Sequence, residues 1–422
     1  MIRLNKQQKK AAHTSHRVVY VDAGPGTGKT TVIEARVKYL ISINVDPREI
    51  LVLAFNKSVV AELKTRLGVY GKINIRTFHS LGCSIIKRYS GNNNFNFLSD
   101  EDKSKLITQI KNQHTIKNVN NIDIMDMLSI CRENSSNIKK YSPDLQKIYR
   151  CYVETLKREK LFDHAKLIRR ANAILQKGVE LRNKLCQQYG YILVDEFQDM
   201  SESRFKLLRL LTCDTTHLFM VGDEDQQILE WSGVRNNNLR KLQKYYPNLQ
   251  IYPLEGSYRL TPQIARIANN LIRHSKKRID KTLKPLNQQN GYLKVKRFDN
   301  SDEEARWCIN KIEFLLRNGV DKKDIAVLVR QEKILYDTVK KTGVVCSTIH
   351  KIKGLEFQHV IVLGVERGIF NGSIEEERRL LYVAVTRAIK SLVLTFIDDG
   401  MRKVGYRDIQ VQKSPLLDEL YR

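Results

Sequence analysis

Residues 18–37 read "VVYVDAGPGTGKTTVIEARV": an apolar, β-branched run, a turn holding three glycines, then a helix-forming run. A run like the one before Asp22 suits a strand buried on both faces, and such strands belong to parallel sheets covered by helices on each side. This strand–turn–helix unit therefore restricts the chain to a layered α/β architecture. Within the turn, Gly26 and Gly28 let the main chain wrap tightly enough for its N–H groups to cradle phosphate oxygens. Lys29 adds a point charge for terminal phosphates, the hydroxyl of Thr30 suits Mg2+, and the following helix aims its positive end at the same anion. Ala23, Gly24, Pro25, Gly26, Thr27, Gly28, Lys29, Thr30 and Thr31 thus form a candidate nucleotide loop, which departs from G-x-x-x-x-G-K-[ST] only at Ala23.

Such a loop needs an acidic counterpart at the end of another strand. "YILVDEFQDMS" supplies one: Asp195 to hold Mg2+ through water and Glu196 to polarise the attacking water. An acidic loop capping a helix explains neither the apolar strand nor the doublet. "RVVYVDA", "ILVLAF", "INIRTF", "YILVDEF", "HLFMVGD" and "QIYPLE" all read as buried strands alternating with amphipathic helical stretches. Residues from about 89 to 186 break that rhythm with apolar positions at three and four spacing, which predicts a helical insertion. After Glu255 the alternation resumes through "GYLKVKRF", "DIAVLVR", "GVVCSTI", "HVIVLGV" and "SLVLTF". The expected organisation is a first α/β domain over 1–88 and 187–255, a helical insertion over 89–186 and a second α/β domain over 256–422.

Charge narrows the partners. Lys and Arg number 73 against 46 Asp and Glu, leaving a net charge of +27 and favouring a polyanionic partner over a merely Lys-rich surface. The seven cysteines are scattered without a CxxC pair or metal-ligand spacing, and read as reduced core residues. No apolar run approaches the roughly 18 residues of a membrane span, and "MIRLNKQQKKAA" lacks a signal peptide's apolar stretch, so the expectation is an intracellular protein with no membrane segment.

Taken in order, these motifs resemble those of the UvrD/Rep-type superfamily 1 DNA helicases from residue 4 to about 396. In that family the loop opens with Ala, as it does at Ala23. "LNKQQKKAA" is similar to the adenine-reading Q motif and implies Gln8 at the purine edge. "LAFNKSVVAEL" and "RTFHSLG" resemble motifs that touch single-stranded DNA, implicating Phe55, Asn56, Phe78 and His79. "LFDHAKL" around Asp163 is similar to a motif near the end of the insertion. "VGDEDQQILEWSGV" implies Gln226 facing the γ-phosphate and Trp231 facing bases. "LEGSYRLTPQI" implies Tyr258 stacking on adenine, with Arg259 beside it; "TIHKIKGLEF" implies His350 toward DNA and Glu356 toward the ribose; "EEERRLLYVAVTRA" supplies Arg387. "AFNKS" resembles the F-box DNA helicase branch more than the usual "TFTNK".

The resemblance implies two RecA-like P-loop NTPase domains with parallel sheets, the helical insertion belonging to the first. It also implies ATP and Mg2+ as cofactors, single-stranded and tailed duplex DNA as partners, and 3′ to 5′ movement. Guanidinium groups reaching the γ-phosphate are worth roughly 10³ to 10⁵ in rate, and Arg259 and Arg387 both fall in the second α/β stretch while Lys29 and Glu196 fall in the first. Hydrolysis would then demand closure of two domains. Base stacking on Trp231 would be worth roughly 1 to 3 kcal/mol and is sequence-tolerant, as a motor requires. Two alternatives stand beside this reading: an RNA-directed helicase, and a nucleic-acid binder whose ATP site is only structural. Only Gln331 to Ser347 separate "LVR" from "TIH", where bacterial relatives insert a large mobile subdomain. That gap predicts a single-strand translocase that needs an accessory protein or a second copy to unwind long duplexes.

Overall fold

The computed structural model describes residues 3–90, 96–116, 119, 121–133, 135–228, 238–276, 278–405 and 407–421. The chain divides into two compact units, one made of residues 1–21, 30–222 and 229–252 and the other of 22–29, 223–228 and 253–422. The phosphate-loop candidate and the turn at Gln226 therefore group by their contacts with the C-terminal half of the chain.

The six runs that the sequence marks as strands in the first half form one sheet. They are β1 (Val18–Ala23), β2 (Ile50–Ala54), β3 (Asn74–Thr77), β4 (Tyr191–Val194), β5 (His217–Gly222) and β6 (Gln250–Leu254), in the order β3-β2-β4-β5-β1-β6. β2 pairs in parallel with β3 and β4, and β4 with β5. Every residue of β1 and β2 is buried, which is why their sequences are almost unbroken apolar runs. Polar caps set the helix starts. In α1 (Lys6–Ala12) Asn5 and Gln8 form a reciprocal capping box, α2 (Lys29–Ser42) follows the glycine turn, and Asn56 caps α3 (Lys57–Leu67).

α4 (Phe78–Ser90) leads into the helical stretch, made of α5 (Asp100–Gln113), α6 (Asn121–Glu133), α7 (Pro143–Arg158), α8 (His164–Lys177) and α9 (Val179–Gln188). α7 starts at Ser142 with Pro143 in its first turn, and α8 at Asp163. Ile107, Ile110, Met127, Leu128, Ile148, Tyr152 and Leu156 give the stretch its own core. Among the described residues its strand content is one two-residue pairing, Asn96–Phe97 with Leu161–Phe162. α8 rests on α4 and on α10 (Glu202–Leu211), tying the helices to the sheet.

The second unit has a sheet of β7 (Tyr292–Phe298), β8 (Ile325–Val329), β9 (Val345–Thr348), β10 (Phe357–Leu363) and β11 (Ala388–Ile397), ordered β7-β11-β10-β8-β9. All four pairings are parallel. α11 (Pro262–Ile272), α12 (Ser301–Arg317) and α13 (Ile374–Val385) pack around it, with α13 buried from Glu377 to Val385. An antiparallel hairpin, β12 (Gly400–Val404) and β13 (Arg407–Lys413), follows β11. No helix among the described residues is long and apolar enough to cross a membrane.

Candidate active site

The glycine turn is held from several sides within the second unit. Thr27 Oγ1 donates to Gly24 O at 2.8 Å, Ser257 Oγ to Pro25 O at 2.8 Å, and the Tyr258 N–H to Gly26 O at 2.9 Å. Gly26 and Gly28 adopt φ of 70° and 87°, where a side chain is strained. At Gly26 a Cβ would also meet Arg259 Cβ at 2.5 Å and Ser257 Oγ at 2.7 Å. The turn thus leaves a backbone cradle that only glycine permits, with Ala23 buried behind it and Lys29 half-buried at its end. Arg259 pairs with Glu356 and donates Nη1 to Thr386 O at 3.3 Å, while its buried Nε has no partner among the described residues. Tyr258 is 50% exposed at the edge of this cluster.

Gln226 sits where several of these groups converge. Arg387, buried, donates Nη2 to Gln226 Oε1 at 3.3 Å while Nε and Nη1 bind Val383 O and Leu355 O. Lys353 Nζ donates to Gln226 O at 2.8 Å. Gln226 Nε2 is buried without a partner among the described residues, an unusual state for a buried donor. Beneath lies a buried cluster that sequence reading passed over. Lys281 Nζ donates to Asp22 Oδ1 and Asp223 Oδ1, each at 2.6 Å, and Arg278 makes a two-pronged bond to Asp225 at 3.0 and 2.9 Å. Burial alone would lower the Lys281 pKa, but Asp22, Asp223 and Asp225 raise it well above its ordinary value. Burial lifts Asp22 to about 6, Lys281 opposing, whereas Lys281 and Lys29 outweigh burial at Asp223 and hold it below the usual range. His350, also in this unit, is depressed to about 4 by burial and then by Arg330 and Lys353, so its imidazole is neutral near pH 7.

The remaining candidates lie in the first unit. Asp195 is buried at the end of β4, accepts the Glu196 N–H at 3.0 Å and donates its own N–H to Leu53 O. Glu196 is left-handed at φ 46°, ψ 46°, and its Oε2 accepts Gln198 Nε2 at 2.5 Å. A non-glycine residue held in that region marks strain of the kind that gathers at functional sites. Thr30 and Thr31 begin α2. The Gln8 side-chain oxygen Oε1 accepts the Asn5 N–H at 2.9 Å, so that group serves the α1 cap.

The Phe55 ring carries the Arg204 guanidinium 4.2 Å above it, and Asn56 is exposed while capping α3. Phe78 is buried in the core, whereas its neighbour His79 is only half-buried. Burial, then Arg204 and His164, pushes His79 down to about 3. Asp163 accepts the Lys166 N–H at 2.7 Å and binds Arg132 at 2.8 and 3.0 Å, a structural pairing within the insertion. Trp231 lies outside the described residues. The structure therefore gathers Gly24 to Lys29, Gln226, Tyr258, Arg259, Glu356 and Arg387 in one unit, and Gln8, Thr30, Phe55, Asn56, Phe78, His79, Asp195 and Glu196 in the other. The gathered cations and backbone donors suit a polyphosphate. Among the described residues no three His, Cys, Asp or Glu side chains form a metal cage. Mg2+ arriving on phosphates needs none, since one carboxylate and a hydroxyl suffice beside water.

Residues 4–247 match the UvrD/REP helicase N-terminal domain, and residues 252–342 and 334–399 match the UvrD-like helicase C-terminal domain. The chain is 30% identical to a probable DNA helicase II homolog of Mycoplasma capricolum, over 84% of this chain and 52% of that protein. It is 30% identical to the ATP-dependent DNA helicase Rep of Buchnera aphidicola, over 81% of this chain and 57% of that one. A probable DNA helicase of Mycoplasma pneumoniae is 30% identical over 94% of this chain and 84% of its own. The chain spans little more than half the length of the first two and most of the third.

Proposed function

The chain belongs to the UvrD/Rep helicase family, with two RecA-like domains, and on that premise we propose that it is an ATP-dependent motor on DNA. Its activity, substrates and partners are proposals, resting on a site that suits ATP hydrolysis. The observation that carries the reading is the glycine cradle at Gly24–Gly28 beside Lys29, Arg259 and Arg387, with Gln226 Nε2, unpartnered among the described residues, among them. In this reading the loop amides and Lys29 bind the β- and γ-phosphates, Gln226 reads the γ-phosphate, and Arg259 and Arg387 stabilise the charge that develops on it. Glu196 orients and polarises the attacking water. Tyr258 stacks on adenine with Gln8 at its edge, and Glu356 holds the ribose. Thr30 and Asp195 would hold Mg2+, which when bound neutralises phosphate charge and aligns the leaving group.

We assign the first RecA-like domain to 1–88 and 187–255, the helical insertion to 89–186 and the second RecA-like domain to 256–422. Single-stranded DNA is the proposed track, through Phe55, Asn56, Phe78, His79, Trp231 and His350, with 3′ to 5′ polarity. The two histidines would act there as neutral hydrogen-bonding rings, and Phe78 would first have to leave the core. Between β8 and β9 the chain makes only short turns at Glu332–Ile334 and Asp337–Lys340, too little for a separate duplex-gripping domain. Unwinding of long duplexes is therefore assigned to the protein acting with an accessory protein or a second copy. Two variants test the assignment of the chemistry. Lys29→Ala should abolish turnover, and Glu196→Gln should bind ATP normally yet hydrolyse it far more slowly; near-normal turnover in Glu196→Gln would remove Glu196 as the base.

A further inference from the structure

Two nucleotide-facing loops each begin at a buried aspartate. Asp22 stands one residue before the Ala23–Thr31 loop, and Asp223 immediately before the turn Glu224–Gln226. Lys281 joins them. Its side chain is 1% exposed, its ammonium lies 2.6 Å from each of the two carboxylates, and Asp225 Oδ2 is 3.6 Å away. Arg278 backs the arrangement by binding Asp225 and donating Nη2 to Lys281 O at 2.8 Å. The segment that carries Lys281 also grips the loop through packing, because a Cβ on Gly24 would meet Leu283 Cδ2 at 2.4 Å. The next two residues, Lys284 and Pro285, pair with Gly256 and Ser257, and Ser257 Oγ holds Pro25 O.

We propose that Lys281 is a positioning residue for the nucleotide reaction: its ammonium, bound to Asp22 and Asp223, fixes the entry of the phosphate loop against the entry of the Gln226 turn. The inference rests on the function proposed above and deepens it. Buried ion pairs are weak evidence for stability, because desolvation offsets much of their attraction. Their value here is geometric. An ammonium is a compact charge with three donors, so it can sit between two carboxylates where a planar guanidinium would favour one. Both carboxylates hang from strand ends whose next residues would touch phosphate, and a displacement of about 1 Å at a reacting centre costs on the order of 100-fold in rate. Among the described residues Asp22 Oδ2 has no partner, so within them nothing else on that side chain fixes the loop entry once Lys281 is gone.

The test compares Lys281→Met with Lys281→Met/Asp22→Asn, which leaves the cluster with the same single excess negative charge as the natural protein. Three quantities are read on the full chain: thermal midpoint, amide hydrogen exchange at 22–30 and 223–228 without nucleotide, and ATP turnover. Lys281→Met should speed exchange in both loops and lower kcat on the order of 100-fold while moving KM for ATP far less. The double variant should regain the thermal midpoint but keep the fast exchange and low kcat. Recovery of kcat together with stability in the double variant, unchanged exchange in either, or failure of the double variant to regain the midpoint would each make Lys281 purely structural and overturn the proposal. A natural protein that hydrolyses no ATP would sink the motor reading, while the exchange data would still decide the role of Lys281.

Discussion

Two fully buried ion networks lie in the second unit, and they differ in completeness. Around Arg402 every valence is used. Nη1 and Nη2 reach Glu304 at 2.7 and 2.9 Å, Nε and Nη2 reach Glu366 at 2.6 Å each, and Tyr336 and Thr395 donate to Glu304. The Ile397 N–H completes Glu366, and no side-chain atom of the three charged residues lacks a partner. This network pins the β12–β13 hairpin to the sheet and touches no motif residue. Around Lys281, by contrast, Asp22 Oδ2 and the neighbouring Tyr382 hydroxyl are buried without partners among the described residues, and Asp22 is pushed up to about 6 by burial. A saturated network rigidifies the fold around it, whereas the one at Lys281 leaves hydrogen-bond capacity unfilled among the described residues beside the glycine loop. Buried charge therefore does not mark function; unfilled hydrogen-bond capacity next to a phosphate cradle is the better sign.

The contrast can be broken from the saturated side first. Arg402→Met leaves two buried glutamates uncompensated and should cost about 3 to 5 kcal/mol, read as a lower urea midpoint. Turnover per folded molecule should stay at the natural level. A fall in kcat at full folding would show that the saturated network also serves the chemistry.

A smaller effect sharpens the other side. Gly26→Ala places a Cβ against Arg259 and Ser257 at a φ of 70° and should cost about 1 to 3 kcal/mol while weakening nucleotide binding. Thermal shift with and without ATP measures both, and undiminished ATP stabilisation would show that the cradle does not face the nucleotide.

The smallest effect concerns His79, away from either network. In the folded chain burial holds it near 3 against an ordinary 6.5, so it stays neutral while the unfolded chain takes up a proton below about pH 6.5. Its contribution to stability is thus complete above that pH and is lost as pH falls toward 3. His79→Gln should flatten the loss between pH 6.5 and 5 by at most about 2 kcal/mol. Unfolding by urea at several pH values checks it; an unaltered slope would mean that His79 is charged in the fold.

Much of the fold was legible because inner strands of both sheets, such as β1, β2 and β8, are buried on two faces and so write themselves as apolar runs. The β12–β13 hairpin was not, since "GMRKV" and "RDIQVQK" present charged residues on one face and bury Arg402, Val404 and Val411 on the other. The glycine loop and the Asp195–Glu196 doublet could be read because their chemistry fixes residue types at fixed spacing. Lys281 could not, because a lysine in "RIDKTLKP" looks like any solvated loop lysine until three aspartates distant in sequence close around it. The same limit applies to Phe78, whose burial depends on long-range packing, and to the grouping of 22–29 with the C-terminal half, which depends on contacts with Leu254, Ser257 and Leu283.

If single-stranded DNA is the track on which this motor moves, it should stimulate ATP hydrolysis more than other nucleic acids do. The most direct measurement is the steady-state ATPase rate of the full chain alone and with single-stranded DNA, blunt duplex DNA or single-stranded RNA of matched sequence and length at one ionic strength. Turnover should be low for the chain alone, rise most with single-stranded DNA, and rise little with duplex DNA or RNA. Equal stimulation by RNA, or no hydrolysis under any of the four conditions, would contradict it.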